Sequence, residues 1–201
     1  TDKTVFGIDD FALISEVGND SLNFGIYWEN KDSLRKNSAI LEGMVTKVEK
    51  AYKWNVHKSL LYINDTLWTI HPENEIVFDN GGVYFKNLQI DGGKSSISIA
   101  GKLPQADKDS LDVAFKDFNL SNLDLLTEII NIYLDGIVNG SMEYSILGDK
   151  PTFISDLKID GLAINNEQLG TARLMNTWDN TNNSIFINSQ IFREGNSGTG
   201  E

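Results

Sequence analysis

No cysteine occurs anywhere in the 201 residues, and the chain holds only three prolines and two histidines. The missing cysteine excludes disulfides, thiolate nucleophiles and thiolate metal sites together, and leaves the compartment open. Scarce histidine confines imidazole chemistry to His57 and His71. No run approaches the ~18 uninterrupted apolar residues of a membrane span. Positive charge is short as well: 17 Lys+Arg stand against 29 Asp+Glu, a net charge of −12. With no local basic stripe, that balance argues against a nucleic-acid partner. What the chain does have is 40% hydrophobic residues. It is too apolar for intrinsic disorder and long enough to bury a core.

The opening Thr1-Asp2-Lys3-Thr4 has no initiator Met, no charged n-region and no apolar h-region. The expectation is a piece of a longer chain, with any signal or anchor removed. The Gly-rich stretch 194–201 reads as a flexible linker.

Period-two alternation dominates the remainder. Leu22, Phe24, Ile26 and Trp28 share one strand face, with Asn23, Gly25 and Tyr27 on the other. Ile97 and Ile99, then Leu111, Val113 and Phe115, then Met142, Tyr144 and Ile146 alternate with polar or small residues. Phe153, Leu157 and Ile159, then Ala172 and Leu174, then Ile185, Ile187 and Ile191 extend the series. Roughly a dozen such runs at ~8–12-residue spacing predict an all-β antiparallel meander, one face of each strand apolar and the other wet.

Asn80-Gly81-Gly82, Asp91-Gly92-Gly93, Asn139-Gly140 and Asp160-Gly161 supply residues that accept positive φ and are expected to be tight reversals. The first joins Glu75–Asp79 to Val83–Asp91 as a hairpin. Within Val83–Asp91 the apolar phase slips between Phe85 and Leu88, which predicts a bulge. One segment departs from the period. Leu123, Leu126, Ile130 and Leu134 fall on one helical face, Ser121 with Asp124 resembles a capping box, and Asp135-Gly136 is a plausible stop. A short helix over about 121–134 is therefore expected, plugging a hydrophobic end or facing a partner. The organisation is a β segment over 1–193, divisible by that helix into sub-modules 1–120 and 137–193.

Signals for reaction chemistry are weak. His71 with Glu73 lacks the second His at i+4 and the third ligand of a metal site, and His57 has no nameable partner. Asp9-Asp10 lacks the ordered ligands of a calcium loop. There is no Gly-x-Ser-x-Gly elbow, Walker loop or dinucleotide fingerprint. Gly148-Asp149-Lys150-Pro151 reads as a turn. No enzyme, cofactor or metal is expected. Trp28, Trp54, Trp68 and Trp178 could form a sugar-stacking platform, but Trp28, Trp68 and Trp178 run in phase with apolar neighbours, which favours core or groove lining.

At Leu134–Gly148 and Lys150–Leu162, with Asn139-Gly140-Ser141 and the Pro151 turn, the sequence resembles the repeated pattern of TamB proteins of the AsmA-like superfamily. Leu60–Pro72, Val83–Ile90, Ile97–Gly101, Trp178-Asp179-Asn180 and Ser184–Ile187 resemble TamB sequences of the Bacteroidetes type. The resemblance covers most of the chain and is strongest from about Trp54 to Ile191. It implies a long twisted antiparallel sheet folded into an open apolar groove, a "β-taco". It also implies a periplasmic protein anchored to the inner membrane and directed toward an outer-membrane BamA-like barrel partner. The implied work is carrying phospholipid between the membranes, with a role in outer-membrane protein and autotransporter assembly.

The residues supply a mechanism for that role. Each buried CH2 contributes ~0.8 kcal/mol, so an ordinary acyl chain gains roughly 10 kcal/mol at full burial, without directional bonds that would stop it sliding. The lining would be Leu22, Phe24, Ile26, Leu111, Val113, Phe115, Met142, Tyr144, Ile146, Leu157, Ile159, Ile185 and Ile187. The alternatives are a closed β-sandwich binding carbohydrate or protein at the cell surface, and a structural spacer in an adhesin. Finally, Asp20-Ser21-Leu22, Asp32-Ser33-Leu34, Asp65-Thr66-Leu67 and Asp109-Ser110-Leu111 match an Asp-(Ser/Thr)-aliphatic O-glycosylation pattern, making Ser21, Ser33, Thr66 and Ser110 candidates. Asp-Ser is also ordinary turn chemistry.

Overall fold

The computed structural model describes residues 10–30, 36–63, 65–127, 130–147, 150–179 and 184–192. Alternating β-branched and aromatic residues make strands of nearly all of them. In chain order these are β1 (Asp10–Val17), β2 (Ser21–Glu29), β3 (Ser38–Val48), β4 (Ala51–Ile63), β5 (Thr66–Ile70), β6 (Glu75–Asp79) and β7 (Gly82–Gly92). After these come β8 (Ser95–Lys102), β9 (Ser110–Asn119), β10 (Leu134–Leu147), β11 (Lys150–Ile164), β12 (Glu167–Asp179) and β13 (Ser184–Phe192). All thirteen belong to one antiparallel sheet, ordered β1-β2-β3-β4-β5-β7-β8-β9-β10-β11-β12-β13. The ladder passes directly from β9 to β10.

The single departure from a meander is at β5 and β6, which are two halves of one strand position. β5 pairs with one end of β4 (Leu61↔Trp68) and β6 with the other (Trp54↔Ile76), while β7 runs beside both. Between the halves the chain leaves the ladder at 71–74, which would orphan the facing backbone of β4. Asn74 repairs the gap. Its Oδ1 accepts from the Val56 N–H at 3.0 Å and its Nδ2 donates to the Val56 C=O at 2.7 Å, so a side-chain amide substitutes for a missing peptide. Asn74 is 1% exposed, and Asn55 Nδ2 donates to its carbonyl and to that of Pro72. Ser59 Oγ accepts from the Ile70 N–H at 2.6 Å, closing the neighbouring position.

The hairpin at Asn80-Gly81-Gly82 forms, with Asp79 Oδ1 capping the Gly81 N–H and Gly82 at φ +127°. The phase slip between Phe85 and Leu88 is a register shift against β8, with Asn87 at positive φ. Two expected reversals are different. Asn139-Gly140 lies inside β10, and Asp160-Gly161 inside β11; each marks a register shift. A glycine at positive φ serves a bulge as well as a turn, so what read as breaks are kinks in strands of 14 and 15 residues.

The helix expected over 121–134 is also corrected. A 3-10 turn at Leu120–Leu123 runs into a single α-turn, α1, at Asp124–Thr127. The N-cap is Asn119, whose side chain accepts from the Ser121 N–H, rather than Ser121 itself. Asn131 takes φ +56° and the Ile132 N–H returns to the Thr127 carbonyl, a six-to-one reversal of the kind that ends helices. Leu134, Asp135 and Gly136 therefore belong to β10. The β-branched run Ile129-Ile130 and Ile132 costs χ1 freedom in a helix, and a left-handed Asn131 stops the chain before four turns can form.

The core is small. Buried apolar residues among those described are Ala39, Val56, Trp68, Val77, Leu88, Phe118, Val138, Ile159, Ala163 and Ala172. Trp68, Phe118, Val138, Ile159 and Ala172 form its centre, and Leu120 and Leu123 of the 3-10 turn pack against it. Trp68 on β5 meets Phe118 on β9 at 5.9 Å between ring centroids, although three ladder steps span about 14 Å on a flat sheet. The strands between them make room with Gly92 on β7 and Ser95 on β8. A Cβ on Gly92 would fall 2.2 Å from the Trp68 ring. Gly92→Ala is accordingly expected to lower stability by about 1–3 kcal/mol through overpacking, read from the midpoint of urea unfolding. An unchanged midpoint would show that Trp68 does not depend on that contact.

Candidate functional site

Residues opposite one another in an antiparallel ladder share a face, so the registers assign every strand position to one side of the sheet. Starting from Leu13↔Ile26 and Val17↔Leu22, the same side carries Leu22, Phe24, Ile26 and Trp28 on β2, then Ala39, Leu41 and Val45 on β3. It continues through Trp54, Val56 and Leu61 on β4 to Trp68, Ile76 and Phe78. Phe85, Leu88 and Ile90 on β7 face the Gly101, Ile99 and Ile97 positions of β8. Those pair in turn with Leu111, Val113 and Phe115 of β9. Met142 and Tyr144 of β10 pair with Val113 and Leu111; Leu157 and Ile159 of β11 with Gly140 and Val138; Ile146 with Pro151. Leu174 and Ala172 of β12 continue the row. Ile187 and Ile185 occupy the next register positions, opposite Asn176 and Trp178, and their side chains lie outside the described residues, as does that of Trp178.

The thirteen lining positions expected from sequence thus fall in one row across the sheet. Only Ile159 of the eleven with described side chains is buried; Leu22, Phe24, Ile26, Leu111, Val113, Phe115, Met142, Tyr144, Ile146 and Leu157 are half-buried. Aromatic contacts run along the face. Phe24 meets Trp54 edge-on at 5.4 Å across Gly43, Trp54 meets Phe78 at 6.2 Å, and Tyr144 meets Phe153 at 6.0 Å. Sequence pattern missed most of this row on β3, β4, β6 and β7. There the apolar phase is broken by the Glu42/Gly43 shift, the β5–β6 split and the Phe85/Leu88 shift.

The opposite face carries the charge. Lys58 bonds Glu42 at 2.7 Å, Lys86 and Lys53 share Glu75 at 2.7 and 3.2 Å, and Lys102 meets Asp109 at 2.8 Å. Further along, Lys158 meets Asp160 at 2.9 Å and Arg173 grips both oxygens of Asp156. The Lys58 ammonium holds the Glu42 carboxyl below its ordinary range, and Lys86 does the same for Glu75. Asp109 is lowered by Lys102 and by the Gln105 and Ala106 N–H groups. The Lys58 and Lys102 pKa values are raised by the same partners, and burial, with the bond to Glu42, raises Tyr27.

Carboxyls lowered on folding contribute stability above their unfolded pKa and lose it as pH falls through the folded value. The urea midpoint is therefore expected to drop between pH 5 and pH 3. Replacing Glu42 and Glu75 by Gln and Asp109 by Asn should flatten that slope. A slope unchanged in the triple variant would assign acid sensitivity to other groups.

His71 is exposed beside the 71–74 gap, and its N–H donates to the Gln89 carbonyl. Among the described residues no cluster of three His, Asp or Glu could hold a metal, and no helix is long and apolar enough to cross a membrane. Asp9 lies outside the described residues. Ser21, Thr66 and Ser110 are the half-buried first residues of β2, β5 and β9, each after an aspartate; Ser33 lies outside the described residues. Asp65 and Asp109 both take turn roles, accepting from the Lys36 N–H and from the Gln105 and Ala106 N–H groups.

Comparison of the chain with protein-family models, curated proteins and solved structures finds no match.

Proposed function

We propose that this chain is a periplasmic segment of a TamB-like protein, carrying phospholipid acyl chains along its apolar face between inner and outer membranes. In that reading it serves outer-membrane protein and autotransporter assembly. A longer protein supplies the inner-membrane anchor and meets a BamA-like barrel. The observation that carries the proposal is the apolar row that crosses one sheet, most of whose described members stay half-exposed. A monomer rarely leaves a large contiguous apolar surface without an occupant. The single ladder supports an open face over two sheets packed ~10 Å apart as in a sandwich. Eleven ladder steps span about 50 Å, well beyond the ~15 Å half-thickness of a bilayer core, so an acyl chain would travel along the row rather than fill it. Nothing along it would need to react; the ion pairs keep the outer face wetted.

Photo-crosslinking in cells tests the reading. A photoreactive residue at Val113 or Tyr144 is expected to capture lipid, and one at Ala114, on the opposite face of β9, is not. Recovery of no lipid from Val113 and Tyr144, while a known lipid carrier labels in parallel, would overturn it.

A further inference from the structure

The apolar face has two margins, one at each end of its strands, and they differ. At one margin Trp68, Phe118, Val138, Ile159 and Ala172 are buried, and Leu120 and Leu123 of the 3-10 turn pack against them. Leu61, the ladder partner of Trp68, lies at the far end of β4 from Tyr52. At that other margin Lys47 pairs with Tyr52 and Tyr52 with Phe78, the next positions on this face beyond Val45, Trp54 and Ile76. The side chains here stay open, with Tyr52 50% and Phe78 36% exposed.

Charge is sorted by face with one exception. The registers put every other lysine and arginine of the described strands on the charged face, from Lys53 on β4 to Arg173 on β12. Lys47 falls two residues beyond Val45 in unbroken register and shares its side. It is exposed, and its ammonium meets no carboxylate among the described residues. Its backbone N–H is held by the Asp20 carbonyl, and Glu49 and Lys50 form the turn that follows β3.

We propose that Lys47 binds the phosphate of a phospholipid at this open margin, with the Tyr52 hydroxyl as a second donor. The proposal rests on lipid carriage by the apolar face and adds which end of the lipid goes where. A lysine on an apolar surface lays its methylenes along the neighbouring side chains and keeps its ammonium in water. Tyrosine divides in the same way, with an apolar ring and a polar tip. A phospholipid carries the matching division: its tail lies on Val45, Trp54 and Ile76, and its phosphate reaches the margin beside Lys47. The opposite margin does not take a headgroup, because a charge set among Trp68, Phe118 and Leu123 would lose its water without gaining a partner. Lipids therefore bind in one orientation, headgroups emerging along the Lys47 margin. The net charge of −12 repels a free anion, so the apolar tail is what keeps the phosphate there.

Photo-crosslinking in cells from Val45 and from Val113, five ladder steps or about 24 Å away, separates this proposal from carriage itself. The unmodified sequence is expected to give lipid adducts at both positions, and mass spectrometry of the Val45 adduct should show a phosphate-bearing lipid. Lys47→Glu should lower capture at Val45 about fivefold, the upper range for a solvent-exposed charge pair, and leave capture at Val113 unchanged. Lys47→Arg, which keeps the charge, should retain the Val45 yield. Because Lys47 is exposed near a strand end, the circular dichroism spectra of both purified variants should be unaltered. A Val45 yield unmoved by Lys47→Glu, an equal loss in Lys47→Arg, or a fatty acid or neutral glyceride as the adduct would overturn the proposal and leave carriage standing. No lipid at either position would overturn carriage, and this proposal with it.

Discussion

Asn74→Ala is expected to cost roughly 3–5 kcal/mol of unfolding free energy, a large part of the ~5–15 kcal/mol of an ordinary domain. The side chain holds both backbone groups of Val56 at the one place where the strand opposite β4 is interrupted. It also donates to the His71 carbonyl. Removing it orphans a buried N–H and a buried C=O, and each costs about 1–3 kcal/mol. Asn74→Asp should be no milder, because a carboxylate accepts from Val56 N–H but cannot donate to its carbonyl, and adds charge at a site 1% exposed. Urea unfolding followed by tryptophan fluorescence measures both. A loss under about 1 kcal/mol for Asn74→Ala would mean the gap is bridged by something other than the amide.

Met142→Glu should cut lipid capture at least tenfold while leaving the fold in place. Met142 is half-buried between its ladder partners Val113 and Ser155 on the apolar face. A carboxylate there keeps its water and displaces an acyl chain from the neighbouring positions. Losing contact with only two methylenes costs about 1.6 kcal/mol, a little more than tenfold in occupancy. Photo-crosslinking from Val113 is therefore expected to fall at least tenfold. Glu143→Lys, one residue on and facing the other side, should leave the yield unchanged. Equal yields in both variants would separate the apolar row from lipid carriage.

Much of the face was legible in the sequence because strands carry their orientation in a period of two. Wherever a run alternated cleanly, as at Leu22–Trp28, Leu111–Phe115 and Met142–Ile146, the register placed its apolar members on one side. The phase slip at Phe85–Leu88 was readable for the same reason. The misreadings share one cause. At Asn139-Gly140, Asp160-Gly161 and Ser121–Leu134 the expectation rests on local preference alone. Yet a positive-φ glycine suits a bulge as well as a turn, and an apolar 3.6-residue pattern needs tertiary cover to persist as a helix.

Composition and alternation alone determined an all-β antiparallel chain, and the strands that alternate cleanly with one apolar face each. Those properties depend on neighbours two residues apart. Only the tertiary structure decided that the strands form one sheet, that β5 and β6 share a position, and that Asn74 bridges their gap. It also decided that Trp68 reaches Phe118 over Gly92 and Ser95. Each of these joins residues far apart in sequence, where pairing is chosen by backbone hydrogen bonds and shape, and neither leaves a period in the chain.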